Sequence, residues 1–370
     1  MARDSKRKSR LVGAAISLVM LVIVFAAAEA AIRIRQQVHY GIAHDVSELF
    51  MKDPGTGLKI MRPNLDTGRV RTDSFGFRNP ELVRPKQRGT VRLAFLGAST
   101  TFCLEVSTNE ATWPDIVVRR LQAAMPDTKF DYINAAVPGY EVADAVTMLA
   151  TRVAGLDPDV IVYYEAHNEL TGDTRALALR TGTKFEPPDE PNWILRHSLL
   201  LYLVDKNLKT FARRGQVMSA IAPLQYDPEP LANNFEQNLV ALVALAKKTA
   251  SIVVLPTFSQ RVRAGQSEEE RKNALITSAF YMPYMSADGI IAGYAAYNRA
   301  IARAAARGGA LLVAGEDTIP ADDRNFVDSV HFSDAGSVLQ AERVAAALLQ
   351  YEPLRALARS RARAAAAMDK

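Results

Sequence analysis

Val91–Phe102, VRLAFLGASTTF, joins a short apolar run to a glycine break and then to a helix-compatible segment. Arg92–Leu96 has the composition of a buried parallel strand. Gly97-Ala98-Ser99 ends it and puts the Ser99 hydroxyl at the carboxyl end of that strand. The Ser99 N–H then lies near a helix N-terminus, where partial positive charge collects. Open α/β sheets form their ligand crevices at that end. A serine there is also a common helix cap, so Ser99 gains chemical meaning only if the rest of the chain supplies partners.

Downstream, strand and helix patterns alternate. Trp113–Ala124 reads as a helix with Pro114 in its first turn. Asp131–Val137 reads as a second strand, Val142–Val153 as a helix and Val160–Tyr164 as a third strand. Ser251–Leu255 and Ala310–Val313 are the fourth and fifth strands, with helices over Phe235–Ala250 and Gly293–Arg307 between them. This rhythm predicts a doubly wound α/β fold around a five-stranded parallel sheet. The stretch Leu170–Asn233 breaks the rhythm. It carries Pro187, Pro188, Pro191 and the Pro228-Glu229-Pro230 cluster around an amphipathic run, Trp193–Leu208. We expect an inserted cap over about residues 171–233.

The 90 residues before Val91 divide differently. Leu11–Ala28 is an uncharged run of about 18 residues, close to the span of a bilayer core. Arg3, Lys6, Arg7, Lys8 and Arg10 precede it, which predicts a cytoplasmic N-terminus and export of the rest. Two readings compete: a secretory signal cleaved near Ala26-Ala27-Ala28, or an uncleaved anchor, favoured because the apolar run resumes at Ala30-Ala31-Ile32. Residues 1–35 are thus read as anchor, residues 36–90 as linker and β-flap, residues 91–350 as the main domain and residues 351–370 as a tail. Val70–Arg78 suggests a short strand pair bent at Gly76. The Ala/Arg-rich tail is expected to be a basic helix, either solvated or on anionic lipid.

The net charge of +5 resides largely in the two ends, and no basic stripe interleaved with aromatics runs through the body. Nucleic acid is therefore not an expected partner. Cys103 is the one cysteine in the sequence, which excludes an intramolecular disulfide and a cysteine-based zinc cage. It is expected to pack in the core.

A serine nucleophile needs a base within hydrogen-bond reach, and the base needs an orienting acid. Among the five histidines, His331 follows the last strand and has Asp328 three residues before it, a spacing that brings a carboxylate to Nδ1. An acyl-transfer oxyanion needs fixed donors. The Ser99 N–H, the Gly139 N–H and the Asn168 side-chain amide fall at the carboxyl ends of successive predicted strands, on one rim of the sheet. Such a route needs no metal and no organic cofactor.

These blocks, Gly97-Ala98-Ser99-Thr100, Gly139, Ala166-His167-Asn168-Glu169 and Asp328-Ser329-Val330-His331, resemble those of the SGNH or GDSL-type serine hydrolases, in the family's order and over about Val91–Leu349. The resemblance implies a flavodoxin-like, three-layer α/β/α fold with strand order 2-1-3-4-5. It also implies Ser99 as nucleophile, His331 as base, Asp328 as its partner, and an oxyanion hole of Ser99, Gly139 and Asn168. Ala98 stands where the family has Asp, Ala166 where it has Gly and Glu169 where it has Asp; the Ala166 methyl is expected to tighten the loop carrying Asn168. Together with the N-terminal apolar run, the resemblance implies an exported, membrane-anchored serine esterase whose substrate is an acyl ester of an envelope glycan, with a lipid ester, suggested by the cap and the anchor, as the competing choice. An O-acyltransferase and a non-catalytic tethered module are the alternatives.

Overall fold

The computed structural model describes residues 2–40, 46–183, 185, 192–219 and 223–367. Two compact units can be separated: Met1–Glu48 with Asp189–Lys209, and Leu49–Pro188 with Thr210–Lys370.

The first unit is built on α1, Ala2–Tyr40, a single helix. Its apolar stretch is long enough to cross a membrane and none of it is buried by protein. The second unit opens with an antiparallel hairpin, β1 (Phe50–Lys52) and β2 (Lys59–Met61), in register from Phe50 opposite Met61 to Lys52 opposite Lys59. The expected strand pair therefore lies earlier in the chain than Val70–Arg78. That later stretch makes only an isolated bridge, Asp66 with Arg71, because its polar atoms close local turns onto the Asp73 carboxylate instead. Gly76 does supply the bend, at φ +82°. The segment is more than a linker: Val70, Phe77 and Arg78 are buried, and the Arg78 guanidinium donates to the carbonyls of Phe102 and Cys103.

The main sheet comprises β3 (Thr90–Gly97), β4 (Lys129–Asn134), β5 (Val160–Tyr164), β6 (Ile252–Pro256) and β7 (Leu311–Val313). All pairings are parallel and the order is β4-β3-β5-β6-β7, the 2-1-3-4-5 order implied by the resemblance. Each strand begins or ends within three residues of its expected bounds. The connecting helices are α2 (Ser99–Phe102), α3 (Trp113–Ala124), α4 (Val142–Met148), α5 (His167–Arg180), α6 (Trp193–His197), α7 (Leu199–Ser219), α8 (Pro228–Thr249), α9 (Glu268–Ala274), α10 (Ile276–Tyr281), α11 (Ala287–Gly308), α12 (Asp334–Gln350) and α13 (Glu352–Ala366). Right-handed crossovers that run outward in both directions from β3 place α3 on one face and α4 on the other. Accordingly α3 packs with α12, and α8 with α4, α5 and α11.

Several boundaries differ from expectation, among them an earlier start of α11 at Ala287. α8 starts at Pro228 rather than Phe235, since Asp227 caps it by accepting from the Glu229 N–H and the prolines occupy positions where no helical N–H is needed. The expected insertion boundary near residue 233 thus falls inside α8. The run expected as one helix over Trp193–Leu208 is broken at Ser198 into α6 and α7; Pro187, Pro188 and Pro191 lie outside the described residues. The tail helix α13 is neither free nor solvated throughout: Leu354 and Ala358 are buried, Thr128 donates to the Ala358 carbonyl, and Arg361 pairs with Asp159.

The site depends on how β3 ends. Gly97 has φ +147°, and a Cβ there would lie 2.3 Å from the Tyr164 carbonyl oxygen and 2.7 Å from Thr101 Oγ1. Thr101 fills the space by donating to that same carbonyl. Gly97→Ala is therefore expected to destabilise the fold by about 1–3 kcal/mol. Gly155→Ala, which meets no atom within 4 Å, is the control, and urea unfolding midpoints separate the two.

Candidate active site

Ser99 opens α2 directly after the Gly97-Ala98 turn, at the point where strand order reverses between β3 and its neighbours. Its Oγ lies 2.8 Å from His331 Nε2. His331 Nδ1 lies 2.7 Å from Asp328 Oδ2. With the imidazole neutral, Ser99 donates to Nε2 and Nδ1–H donates to Asp328. The three residues, separated by up to 232 positions in sequence, are thus brought into one hydrogen-bonded chain.

The Asp328 carboxylate is saturated. Oδ1 accepts from the backbone N–H groups of Val330 and His331, each at 2.9 Å. Oδ2 accepts from the Thr277 hydroxyl at 2.5 Å as well as from His331. Burial alone would raise its pKa, but His331, Thr277 and the Val330 N–H hold it well below the usual carboxylate range. Thr277 was not legible in the sequence. It sits in α10, whose first N–H groups at Thr277 and Ser278 both donate to Ser329 Oγ at 3.0 Å. Asp328 and Ser329 are thereby fastened to one helix.

Burial also works against protonation of His331, yet the carboxylates of Asp328, Glu105 and Glu165 outweigh it and raise its pKa above the ordinary imidazole value. Glu105 Oε1 is 4.0 Å from His331 Nδ1, and its other oxygen is buried without a hydrogen-bond partner among the described residues. Burial pushes the Glu105 pKa up. Glu165 is buried behind α5, accepts from the Asn168 N–H at 2.7 Å, and burial pushes it up to about 7. Glu105, six residues past Ser99, carries no sequence signal of its own; its place beside His331 emerges only when the chain returns 226 residues later.

The other expected residues follow the ends of β4 and β5. Gly139 has φ +88°, and among the described residues neither its N–H nor that of Ser99 has a hydrogen-bond acceptor. Asn168 Nδ2 donates to the Tyr140 carbonyl at 2.9 Å, which uses one of its two hydrogens and leaves the other. Ala166 has φ −158° and ψ −18°, outside both the helical and the extended regions, and is fully buried. Glu169 turns away from the site and accepts from the Val142 N–H at the start of α4. His167 is buried against the Tyr294 hydroxyl at 2.6 Å, and burial lowers it to about 4. His197 is exposed and bonded to the Trp193 carbonyl. Cys103 is buried, its thiol pushed up to about 12 by burial, but α2 ends before it and Cys103 takes φ +60°, so it does not continue a helical face from Ser99.

A further contributor comes from the hairpin. Lys59 Nζ donates to the Pro138 carbonyl, and the Tyr140 hydroxyl donates back to the Lys59 carbonyl at 2.6 Å. A trans peptide holds its C=O and N–H on opposite sides, so anchoring Pro138 O on Lys59 turns the Gly139 N–H the other way. No motif marks Lys59, because its partner lies 79 residues away.

A family model described as GDSL-like lipase/acylhydrolase matches residues 95–339. A search of curated proteins finds no match. Among solved structures, an alpha/beta hydrolase enzyme from the metagenome of Lake Arreo, Spain, is 17% identical with a TM-score of 0.43, over 70% of this chain and 94% of that one. An acetyl xylan esterase variant from Geobacillus stearothermophilus is 15% identical with a TM-score of 0.40, again over 70% and 94%.

The carboxylates around His331 predict a titration. Negative neighbours favour the imidazolium, so the NMR titration midpoint of His331 is expected above 6.5. Glu105→Gln removes one such neighbour and is expected to lower that midpoint, leaving the Ser99–His331 hydrogen bond in place.

Proposed function

The chain belongs to the GDSL-like lipase/acylhydrolase family, and on that premise we propose that it is an exported, membrane-anchored serine esterase that works through an acyl-enzyme on Ser99. The observation that carries this reading is the continuous chain from Ser99 through His331 to Asp328, at 2.8 and 2.7 Å.

In the proposed reaction Ser99 Oγ attacks the ester carbonyl while His331 Nε2 takes its proton, and Asp328 stabilises the imidazolium. The carbonyl oxygen becomes an oxyanion facing the Ser99 and Gly139 N–H groups and the second hydrogen of Asn168 Nδ2. Collapse breaks the bond to the alcohol oxygen, which receives the proton from His331. Water then attacks the acyl-Ser99 carbonyl by the same path, giving up a proton to His331, and Ser99 leaves with it as the free hydroxyl. Each fixed donor in such a hole is worth roughly 2.7–4 kcal/mol of transition-state stabilisation. The saturated Asp328 supports this reading, since an imidazole held in one tautomer has its acceptor nitrogen permanently toward the serine.

We read residues 1–35 as a single-pass anchor in a bacterial inner membrane with the N-terminus in the cytoplasm, and the residue 91–350 domain as periplasmic, with its insertion between α5 and α8. The basic N-terminal end and the unburied apolar stretch of α1 support the topology. An O-acetyl or other short acyl ester on an envelope glycan is the substrate class that fits export together with the family.

Ser99→Ala is expected to lower hydrolysis of aryl acetates by about 10⁴-fold or more and to abolish labelling by a serine-reactive phosphonate. Activity should fall along an acetyl-to-decanoyl series. Phosphonate labelling without hydrolysis of any chain length would instead favour transfer to a sugar hydroxyl. Lys59→Met is expected to reduce kcat about tenfold with a smaller change in KM, less than the roughly 10²–10³ of losing a direct oxyanion donor; Lys59→Arg should recover part of it.

A further inference from the structure

The junction of α1 with α6 and α7 is built around a charged residue at the end of an apolar span. Leu11 to Glu29 covers about 27 Å of helix at 1.5 Å per residue, against a hydrocarbon core of about 30 Å. Glu29 therefore marks the boundary of the span. Its carboxylate accepts from the Ser198 hydroxyl at 2.9 Å, from the Leu199 N–H at 3.0 Å and from the Leu200 N–H at 2.9 Å. A residue on α1 thus caps the N-terminus of α7, satisfying donors that the helix cannot satisfy itself. One turn along α1, Arg33 pairs with Glu29 and donates to the His197 carbonyl at 3.3 Å. The last turn of α6 and the first turn of α7 are consequently held at the level where the apolar span ends.

What these helices display at that level is apolar. Trp193 is 72% exposed and Ile194 55%, and the Trp193 ring lies 4.5 Å from that of His197. On α7, Val204, Leu208 and Phe211 are all large, apolar and exposed. Their i, i+4, i+7 spacing puts them on one helix face, while Leu199, Arg213 and Val217 are buried. Beside this apolar surface is a cleft of about 380 Å³ lined by Arg33, Arg196, His197 and Tyr202, with Glu48. Exposed tryptophan, an apolar helix stripe and adjacent arginines form the pattern of a segment lying at a bilayer interface, with rings at headgroup level and guanidinium groups toward phosphate.

We propose that α6 and the exposed face of α7 lie in the outer headgroup layer of the bilayer that α1 crosses, so that the protein meets its membrane through an interfacial helix pair as well as through an anchor. This rests on the anchor reading. The partner is the lipid bilayer itself: Trp193 and Ile194 enter the boundary between headgroups and acyl chains, and the Arg33–Arg196 cleft faces lipid phosphate. A soluble protein partner would cover the same apolar stripe without requiring it to be tied to the end of an apolar span.

The chain has two tryptophans, and Trp113 is fully buried in the main domain, which makes Trp193 a native depth probe. The full chain is reconstituted into vesicles of phosphatidylcholine and phosphatidylglycerol, plain or brominated high or low on the acyl chain, with Trp193→Phe giving the Trp113 background. Shallow bromines are expected to cut the Trp193 emission by about half and deep bromines by less, as for an interfacial ring. Leu208→Trp in the Trp193→Phe background should be quenched in the same order, which tests α7 separately. If the chain stays with the vesicles through an alkaline carbonate wash but neither probe is quenched, and acrylamide reaches both freely, the interfacial helix pair is overturned while the anchor stands. Loss of the chain from the vesicles in that wash overturns both.

Discussion

The Asp328 carboxylate ties the site together. Four donors converge on it: two backbone N–H groups of its own turn, the Thr277 hydroxyl of α10 and the His331 imidazole. Hydrogen bonds to an ionised group contribute more than neutral ones, about 1.5–3 kcal/mol each, and here they act on a group with no rotational freedom left. The turn between β7 and α12 would otherwise be an irregular loop. Fastened to α10 through Thr277 and Ser329, it presents one imidazole nitrogen to Ser99 and the other to Asp328. A histidine on an untethered loop would sample orientations in which the serine proton had no acceptor.

The loops after β3 and β4 are held by different chemistry. Gly97 lets β3 pass against the Tyr164 carbonyl closely enough for α2 to start within the crevice. The Val137–Tyr140 loop is then fixed from both sides, by Asn168 on the Tyr140 carbonyl and by Lys59 on the Pro138 carbonyl. The hairpin carrying Lys59 precedes the residues matched by the family model, which begin at residue 95. The segment between α1 and β3 thus contributes to the site's geometry, including through the buried Arg78, which donates to the carbonyls at the end of α2.

Around the imidazole the balance of charge is uneven. Asp328 is stabilised as a carboxylate by direct bonds, whereas Glu105 and Glu165 are pushed by burial toward the neutral acid. The three groups therefore differ in role despite their shared chemistry: one orients the imidazole, one sits 4.0 Å from it with an unpartnered oxygen, and one braces the Asn168 backbone. Only the first has the proximity to fix a tautomer.

Much of this was legible in one dimension because its causes are local. A buried parallel strand must be apolar along its whole length, so β3, β5, β6 and β7 appear as short apolar runs, and helix caps and prolines mark the intervening helices. The glycine-serine break, Gly139, Asn168 and the Asp328–His331 spacing are visible for the same reason: each is dictated by the backbone at a single strand end. The interactions that join those ends are not local. Thr277, Lys59, Glu105 and the α13 contact with Thr128 and Asp159 depend on segments tens to hundreds of residues apart, and no spacing rule connects them. The hairpin was misplaced because Val70–Arg78 alternates like a strand while its polar groups find partners within their own turns. By itself the sequence determined the sheet, its helices and the residue types at its rim, since hydrophobic periodicity and backbone conformation are set by near neighbours. The tertiary structure decided which polar groups meet and which way they point, because burial and hydrogen-bond geometry exist only once the chain has closed on itself.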